Sequence, residues 1–111
     1  MDNCIFCKIA RKEIPAKIVR ETELAIAFWD VSPRQPIHIL VIPKLHYSNV
    51  AELTLNDEAS LVAVMKLGSE LAIEHAEESF RISFNTGEAA GQTVFHAHGH
   101  ITSRTPRGEL V

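Results

Sequence analysis

Three short apolar segments in the first half of the chain have the patterns of β-strands. Residues 17–21 alternate between apolar and polar side chains, as in a half-buried strand. Residues 24–29 form a compact apolar run, and residues 37–42 are rich in branched side chains. The second run ends at Asp30, and the third stops at Pro43, because proline cannot donate a hydrogen bond to a sheet. The pattern predicts three strands in this half of the chain.

A long amphipathic helix is predicted after the third strand. Its apolar side chains recur with the helical period and form one stripe, which consists of Leu61, Val64, Met65, Leu71 and Ala72. The opposite face is charged and carries Glu58, Lys66, Glu70 and Glu74. Thr54, followed by Asn56 or Asp57, offers the N-cap. We therefore expect a helix that packs one side on a sheet and turns the other to solvent.

The second half of the chain adds two more predicted strands. Residues 80–84 form the fourth strand, residues 85–92 a glycine-containing loop, and residues 93–101 the fifth strand. Strands joined by short loops, with one long helix inserted late, favour an α+β fold with a five-stranded antiparallel sheet over alternating βαβ units. The chain has 111 residues and a mass of 12.3 kDa, which suits a single domain over residues 1–111.

Composition and charge exclude several classes of partner. The formal net charge of -3, from 11 basic and 14 acidic side chains, provides no broad attraction for a nucleic acid backbone. The longest apolar stretches, such as residues 37–43, are far shorter than the roughly 20 residues of a membrane-spanning helix. The N-terminus lacks a basic region followed by an apolar run, so we expect no signal peptide. The resulting expectation is a cytoplasmic protein without membrane or nucleic acid partners.

Three of the six histidines lie close together, at His96, His98 and His100. Because successive side chains of a strand point to opposite faces, the predicted fifth strand places all three on one face, about 6.6 Å apart. A neutral imidazole is a nucleophile, a general acid or base and a metal ligand near neutral pH. Two interpretations follow. Two imidazoles and a third ligand hold a catalytic Zn²⁺ that activates water, or the middle imidazole attacks phosphorus while its neighbours handle protons.

Cys4 and Cys7 have the spacing of a metal half-site or a redox pair. Two cysteines in a cytosolic chain do not make a disulfide framework, and Zn²⁺ requires two further nitrogen or sulfur ligands. His46, just after the third strand, is the available imidazole. The alternative is that both cysteines are small buried apolar side chains.

Taken together, the motifs resemble those of the histidine triad family of nucleotide hydrolases and transferases. The sequence GQTVFHAHGHI is similar to the family signature, and five further segments match in order: residues 4–9, 14–16, 28–33, 36–46 and 85–87. Within the family, the chain resembles the branch of the purine nucleoside phosphoramidases. The resemblance implies a purine nucleotide substrate and a homodimer whose two sheets join into one larger sheet.

The resemblance also implies roles for individual residues. The catalytic histidines would be His38, His96, His98 and His100. His98 is similar to the nucleophile, which takes the nucleoside monophosphate onto a ring nitrogen, and Asp30 resembles the carboxylate that binds the ribose hydroxyls. The implied nucleotide contacts are Asp30, Asn85, Gly91, Gln92, Thr93, His98 and His100. Without the resemblance, Asp30 is more simply a turn residue, and Asn85 suits a turn equally well.

In zinc-containing relatives, the third and fourth metal ligands resemble His46 and His96. Together with Cys4 and Cys7 they would form a structural zinc site, and the chemistry itself would need no metal. Two positions depart from the family signature, since Gly99 and Thr102 stand where bulky apolar residues are usual. We therefore expect weaker packing in this strand.

The predicted function is hydrolysis or transfer at the α-phosphorus through a covalent nucleotidyl-histidine. The alternatives are a nucleotide-binding signalling module without turnover, a dinucleoside polyphosphate hydrolase, and the zinc hydrolase that the histidine cluster also allows. The leaving group, which is an amine, a phosphate or a second nucleotide, is left open.

Overall fold

The computed structural model describes residues 3–107 and shows a five-stranded antiparallel sheet with helices packed on it. The strands are β1 (Ile18–Glu21), β2 (Ala25–Trp29), β3 (Ile37–Pro43), β4 (Arg81–Ser83) and β5 (Gly99–Ser103), in the order β1-β2-β3-β5-β4. The helices are α1 (Ile5–Ala10), α2 (Val50–Asn56) and α3 (Glu58–His75), with a 3₁₀ turn at Glu88–Ala90. The predicted α+β fold, with its five-stranded sheet and one long helix, is confirmed. No helix in residues 3–107 has the length and apolar character needed to cross a membrane.

The central strand β3 is buried from end to end because core lies on both of its faces. Ile39 and Val41 belong to a cluster beneath α3 that includes Leu67. Leu40 and Ile42 point the other way, into a second cluster with α1. A strand that is covered on both faces is apolar at nearly every position, which explains why the β3 sequence does not alternate.

The predicted fifth strand, over residues 93–101, is wrong at both ends. The observed strand is β5, so only His100 of the three clustered histidines lies on it. The preceding segment leaves the sheet because its hydrogen bonds go elsewhere: the Gln92 side chain and the Ala97 N–H donate to carbonyls of the loop after β3. The strict alternation of three histidines on one strand face is therefore also wrong.

Helix α3 is present as predicted, but its N-cap and its buried face differ in part from the prediction. Asp57 is its N-cap and accepts the Ser60 N–H at 3.0 Å, whereas Thr54 lies inside α2. Met65 belongs to the predicted apolar stripe but is exposed, because it lies about 100° around the helix from the centre of the buried face. The buried face consists of Ser60, Val64, Leu67, Gly68, Leu71 and Ala72. The predicted charged face is exposed.

Neither α1 nor α2 follows from helical periodicity, because each is only six or seven residues long. Their first turns are held by side-chain caps. Cys4 Sγ accepts the Cys7 N–H at 3.4 Å, and Asn49 Oδ1 accepts the Glu52 N–H at 2.9 Å. The cap on α1 brings both cysteines to one end of the helix, next to the sheet.

Gly99 has a packing reason that the sequence does not show. A Cβ atom at Gly99 would lie 2.8 Å from Cζ of Phe84, which is too close for any real side chain. The Phe84 ring, on the segment after β4, therefore occupies the space that a larger residue would need. The expectation of weaker packing at Gly99 is corrected: the neighbouring segment fills the site.

Gly99→Leu is expected to lower the free energy of unfolding by about 1–3 kcal/mol, the usual cost of overpacking a filled site. Removing the opposing ring as well, in Gly99→Leu/Phe84→Ala, should recover part of that loss. Urea unfolding of the wild type, both single variants and the double variant measures the coupling. Purely additive costs would show that Phe84 is not the group that excludes a side chain at position 99.

Candidate active site and metal cluster

A cavity of about 610 Å³ lies on the face of the sheet that packs against α1. One wall is apolar and comes from α1, the segment after it, and β2: Ile5, Phe6, Ile9, Ile14, Pro15, Ala16 and Phe28. The polar lining includes Asp30, His38, Asn85, Thr93, His98 and His100. Residues that are distant in sequence thus meet over the two central strands, where Leu40 of β3 is paired with His100 of β5.

The His98 imidazole is buried and has a defined tautomer. Its Nδ1 lies 2.7 Å from the backbone oxygen of His96. A carbonyl oxygen only accepts, so Nδ1 carries the proton and the neutral ring keeps its lone pair on Nε2. Burial lowers the pKa of His98 below its ordinary value, because the protonated ring would lose its hydration. The ring is therefore neutral and nucleophilic near pH 7.

His38 and His100 form a hydrogen-bonded pair whose protons are set by the backbone. The Arg34 N–H donates to His38 Nδ1 at 3.2 Å, which places the His38 proton on Nε2. That Nε2 lies 3.1 Å from His100 Nδ1 and donates to it, so His100 carries its own proton on Nε2. Burial, with smaller contributions from His98 and His38, lowers the pKa of His100 to about 4. His100 therefore offers a neutral N–H donor in the cavity wall.

Asp30 makes the contact of a turn residue and also lines the cavity. Its Oδ1 accepts the Ser32 N–H at 2.7 Å, which is the contact expected of a turn residue. Its Oδ2 lies 3.5 Å from His38 Nε2, and the carboxylate lines the cavity. One oxygen thus orders the turn after β2, while the other stands beside the histidine pair.

The loop before β5 supplies part of the cavity wall, with one difference from the sequence expectation. Asn85, Gly91 and Thr93 line the cavity, and Gly91 has a φ of 97°, which favours glycine. Gln92 is buried instead, and its amide closes the loop by accepting the Gly87 N–H and donating to the carbonyls of Ser48 and Val94. Gln92 therefore holds the loop and does not line the cavity.

The ligand atoms of Cys4, Cys7, His46 and His96, the set that the family resemblance implies, all lie within 4.8 Å of one another at the start of α1. The Sγ–Nδ1 distances are 3.3 Å for Cys4–His96, 3.3 Å for Cys7–His46 and 3.5 Å for Cys7–His96. A tetrahedral Zn²⁺ with Zn–S of about 2.3 Å and Zn–N of about 2.0 Å separates sulfur from nitrogen by about 3.5 Å. The cluster therefore fits a metal ion such as zinc.

The protonation of the cluster also suits a cation. His96 Nε2 donates to the Pro43 carbonyl at 2.9 Å, which leaves the lone pair on Nδ1, facing the thiols. Burial lowers the pKa of His96 to about 4, so the ring is a neutral ligand. Burial, followed by the hydrogen bond and charge of Cys4, raises the pKa of Cys7 to about 11. Without a cation the Cys7 thiol keeps its proton, and a bound cation would take its place.

A second group of possible metal ligands lies in the cavity and consists of Asp30, His38 and His100. Among the described residues, neither group contains His98. The sequence places His96 with the catalytic histidines, but the structure buries its ring completely and turns it to the thiols. Only the His96 carbonyl reaches His98.

Comparison with known proteins decides the family. The sequence pattern of the HIT domain matches residues 11–107. The chain belongs to the HIT family. Protein HitA of Neisseria gonorrhoeae is 43% identical over 102 residues, which cover 91% of this chain and 95% of that protein. The purine nucleoside phosphoramidase of Escherichia coli K12 is 35% identical, over 99% of this chain and 94% of that enzyme. A HIT family hydrolase from Clostridium thermocellum superimposes with a TM-score of 0.86 at 41% identity, over 93% of this chain and 91% of that one.

Two features of this HIT site are absent from the sequence prediction. Phe6 packs its ring edge-on against His98, with ring centres 5.1 Å apart. Its position between Cys4 and Cys7 is the only sequence signal that points to it. The Arg34 backbone N–H sets the His38 tautomer, and no side-chain pattern reveals such a contact.

The stability of this HIT chain is expected to fall as the pH drops from about 7 to 4, and less so in His100→Asn. In the unfolded chain His100 takes up a proton near its ordinary pKa of 6.5, whereas in the folded chain it does so only at about 4. Between these values the unfolded state binds more protons, so acid favours unfolding. We expect the slopes of unfolding free energy against pH to differ by less than about 1 kcal/mol per pH unit, because the ring is partly solvated.

Urea unfolding of wild type and His100→Asn at several pH values measures this difference. Above pH 7 both states leave His100 neutral, so the two slopes should agree there, which serves as the internal control. Identical slopes between pH 6.5 and 4 would mean that His100 titrates normally in the folded chain.

Proposed function

We propose that this protein hydrolyses or transfers at the α-phosphorus of a purine nucleotide derivative, such as an adenosine 5′-phosphoramidate, through a covalent nucleotidyl-His98. The observation that carries the proposal is the state of the His98 ring. Its Nδ1 is committed to the His96 carbonyl and its burial keeps it neutral, so Nε2 is the nucleophilic atom. The printed name of the Escherichia coli relative, purine nucleoside phosphoramidase, supports the substrate class.

The cavity walls suit the parts of a nucleotide. The apolar wall around Phe6, Ile9 and Phe28 accommodates a purine, and Asp30 Oδ2 accepts hydrogen bonds from the ribose hydroxyls. The loop with Asn85 and Gly91 then stands near the phosphate, where backbone N–H groups and the Asn85 amide bind its oxygens. This order places the α-phosphorus over the histidines.

The reaction proceeds in two displacements. The lone pair of His98 Nε2 forms a bond to phosphorus while the bond from phosphorus to the leaving group breaks, and the leaving group departs with that electron pair and takes up a proton. Water then attacks phosphorus, the N–P bond breaks and its electron pair returns to Nε2, which releases the nucleoside monophosphate. The proton that this water loses to solvent balances the one that the leaving group took up. The His100 N–H donates to a phosphoryl oxygen during both displacements, because its proton is held on Nε2 by the pair with His38.

The group formed by Asp30, His38 and His100 supports a second candidate function, metal-assisted hydrolysis in the cavity. Such an enzyme would lose all turnover when a chelator removes the metal. In the nucleophile mechanism, Cys4 and Cys7 lie outside the reacting groups, and a metal that they held with His46 and His96 would be structural.

The proposal includes a homodimer built on one edge and one helix face. β4 is an edge strand of the sheet, and its residues are exposed or half-buried. Val62, Met65 and Ile73 form an exposed apolar stripe on α3, and Phe80 is exposed just before β4. Pairing two copies through β4 would extend the sheet and cover Phe80, and contact with the partner's helix would cover the stripe on α3.

His98→Asn is expected to keep the fold and the affinity for a purine nucleoside monophosphate while turnover falls by about three orders of magnitude or more, because no other nucleophile is available. Steady-state assays on an adenosine phosphoramidate and a dinucleoside polyphosphate, with calorimetric binding of the monophosphate, measure both. His75→Asn is the matched control, since His75 does not itself line the cavity and reaches it only through its ring contact with Trp29.

More than a few per cent of wild-type turnover in His98→Asn would rule out the covalent mechanism. Wild-type binding of the monophosphate without turnover of either substrate would instead identify a nucleotide-binding module.

The purified protein is expected to contain about one zinc per chain, which Cys4→Ser/Cys7→Ser should lose. The double variant should melt at least about 5 °C lower, because the metal would tether α1 to the end of β3 and to the segment before β5, yet retain some turnover. Elemental analysis, calorimetry and activity assays test this, with His75→Asn as a variant that keeps the metal.

If the protein contains no metal when it is purified without chelator, the zinc site is wrong and both cysteines have an ordinary packing role. Complete loss of turnover on zinc removal from a folded chain would favour metal-assisted hydrolysis.

A further inference from the structure

The thiol–imidazole cluster and the His98 ring are joined through His96. The His96 side chain contacts Cys4 and Cys7 through Nδ1, at 3.3 and 3.5 Å. The backbone oxygen of the same residue accepts the His98 Nδ1–H at 2.7 Å. Any change in the position of His96 therefore changes the acceptor that fixes the His98 tautomer.

Phe6 provides a second, independent connection. It lies on α1 between the two cysteines and is 6% exposed. Its ring meets the His98 ring at 5.1 Å with an interplanar angle of 85°, and the His96 ring at 6.0 Å and 72°. Edge-on contacts of this kind are directional, so the Phe6 ring restricts the plane in which the His98 imidazole lies.

The helix that carries Phe6 is held by the apolar packing of Phe6 and Ile9 and by contacts of the thiols at its start. α1 has six residues, too few to be stable alone, and its polar anchors are thiol hydrogen bonds to the imidazoles. Thiols are weak hydrogen-bond donors and acceptors. Metal–ligand bonds at the same four side chains would hold α1, and with it Phe6, much more firmly.

We propose that Phe6 is a positioning residue for His98, and that closing the thiol–imidazole cluster around a metal fixes the His98 ring for attack. The inference rests on the proposed function only in naming His98 as the nucleophile. It assigns the metal a role in ordering the active site in addition to stabilising the chain terminus.

A variant at Phe28 distinguishes the positioning of His98 from simple contact with a nucleotide base. Its ring packs against Phe6 at 5.5 Å and belongs to the same apolar wall of the cavity. Among the described residues, however, the aromatic contacts of His98 are with Phe6 and His100 and do not include Phe28. Phe28→Leu therefore removes a ring from the wall without removing one from His98.

The test is NMR on the full-length ¹⁵N-labelled protein loaded with zinc, in which the exchange of the His98 Nδ1–H with water is measured. The signal is assigned by its loss in His98→Asn. We expect slow exchange in the zinc-loaded wild type and in Phe28→Leu. After chelation of the wild type, and in zinc-loaded Phe6→Leu, exchange should be at least about tenfold faster while the sheet amides stay protected.

Protection that survives either chelation or Phe6→Leu overturns the proposal, and so does equal loosening in Phe28→Leu. The two arms are complementary, because chelation leaves the sequence intact and Phe6→Leu leaves all four ligands in place. If one of them unfolds the sheet, the other decides.

Kinetics provides a second readout. At full zinc content, kcat of Phe6→Leu should fall about 10- to 100-fold, because a small misplacement of the attacking atom is costly, whereas Phe28→Leu should act mainly on KM. A loss in Phe6→Leu that appears in KM alone contradicts the positioning role. If the wild type turns over no phosphoramidate, the proposed function fails, and the exchange measurement still decides whether Phe6 and the metal position His98.

Discussion

The structure around the cavity depends on how His96 is buried. Its side chain is 0% exposed, and a buried imidazole must satisfy each of its polar atoms or destabilise the fold. Nε2–H donates to the Pro43 carbonyl, Nδ1 faces the two thiols, and the backbone oxygen holds the His98 Nδ1–H. These three contacts join the start of the chain, the end of β3 and the entry to β5. The thiol–imidazole cluster and the proposed nucleophile His98 are therefore joined through one residue, which uses a different atom for each.

Two neighbouring histidines follow the same logic, since a backbone group selects the tautomers of His38 and His98. A carbonyl forces a proton onto the nitrogen it faces, as at His96 and His98, and an N–H forces a lone pair, as at His38. Main-chain groups hold a fixed position once the sheet has formed, so they set the protons more reliably than mobile side chains would. His38 Nε2–H then donates to His100 Nδ1, so the tautomer of His38 sets the tautomer of His100.

How far the sequence predicts this arrangement depends on the range of the interactions. Local patterns locate the first four strands to within a residue or two, as well as the long helix with its Asp57 cap, and spacing together with family resemblance selects the cysteines and histidines. The fifth strand is misplaced because the Gln92 side chain draws its segment towards Ser48, 44 residues away. The sequence does not predict the histidine tautomers either, since the carbonyl that accepts the His96 Nε2–H lies 53 residues distant. The roles of Phe6 and Phe84 depend on which ring faces which, and only packing decides that.

Burial keeps the imidazoles of this site neutral, with one favourable and one unfavourable consequence for a reaction at phosphorus. Attack on phosphorus needs an unprotonated nitrogen, and burial lowers the pKa of both His98 and His100. The same burial removes the imidazolium charges that would attract a phosphate. The cavity wall also carries the guanidiniums of Arg34 and Arg81, which bind phosphate through fixed N–H donors. In the proposed mechanism, arginines attract the phosphate and a neutral imidazole attacks it, so that neither role depends on the protonation state that the other requires.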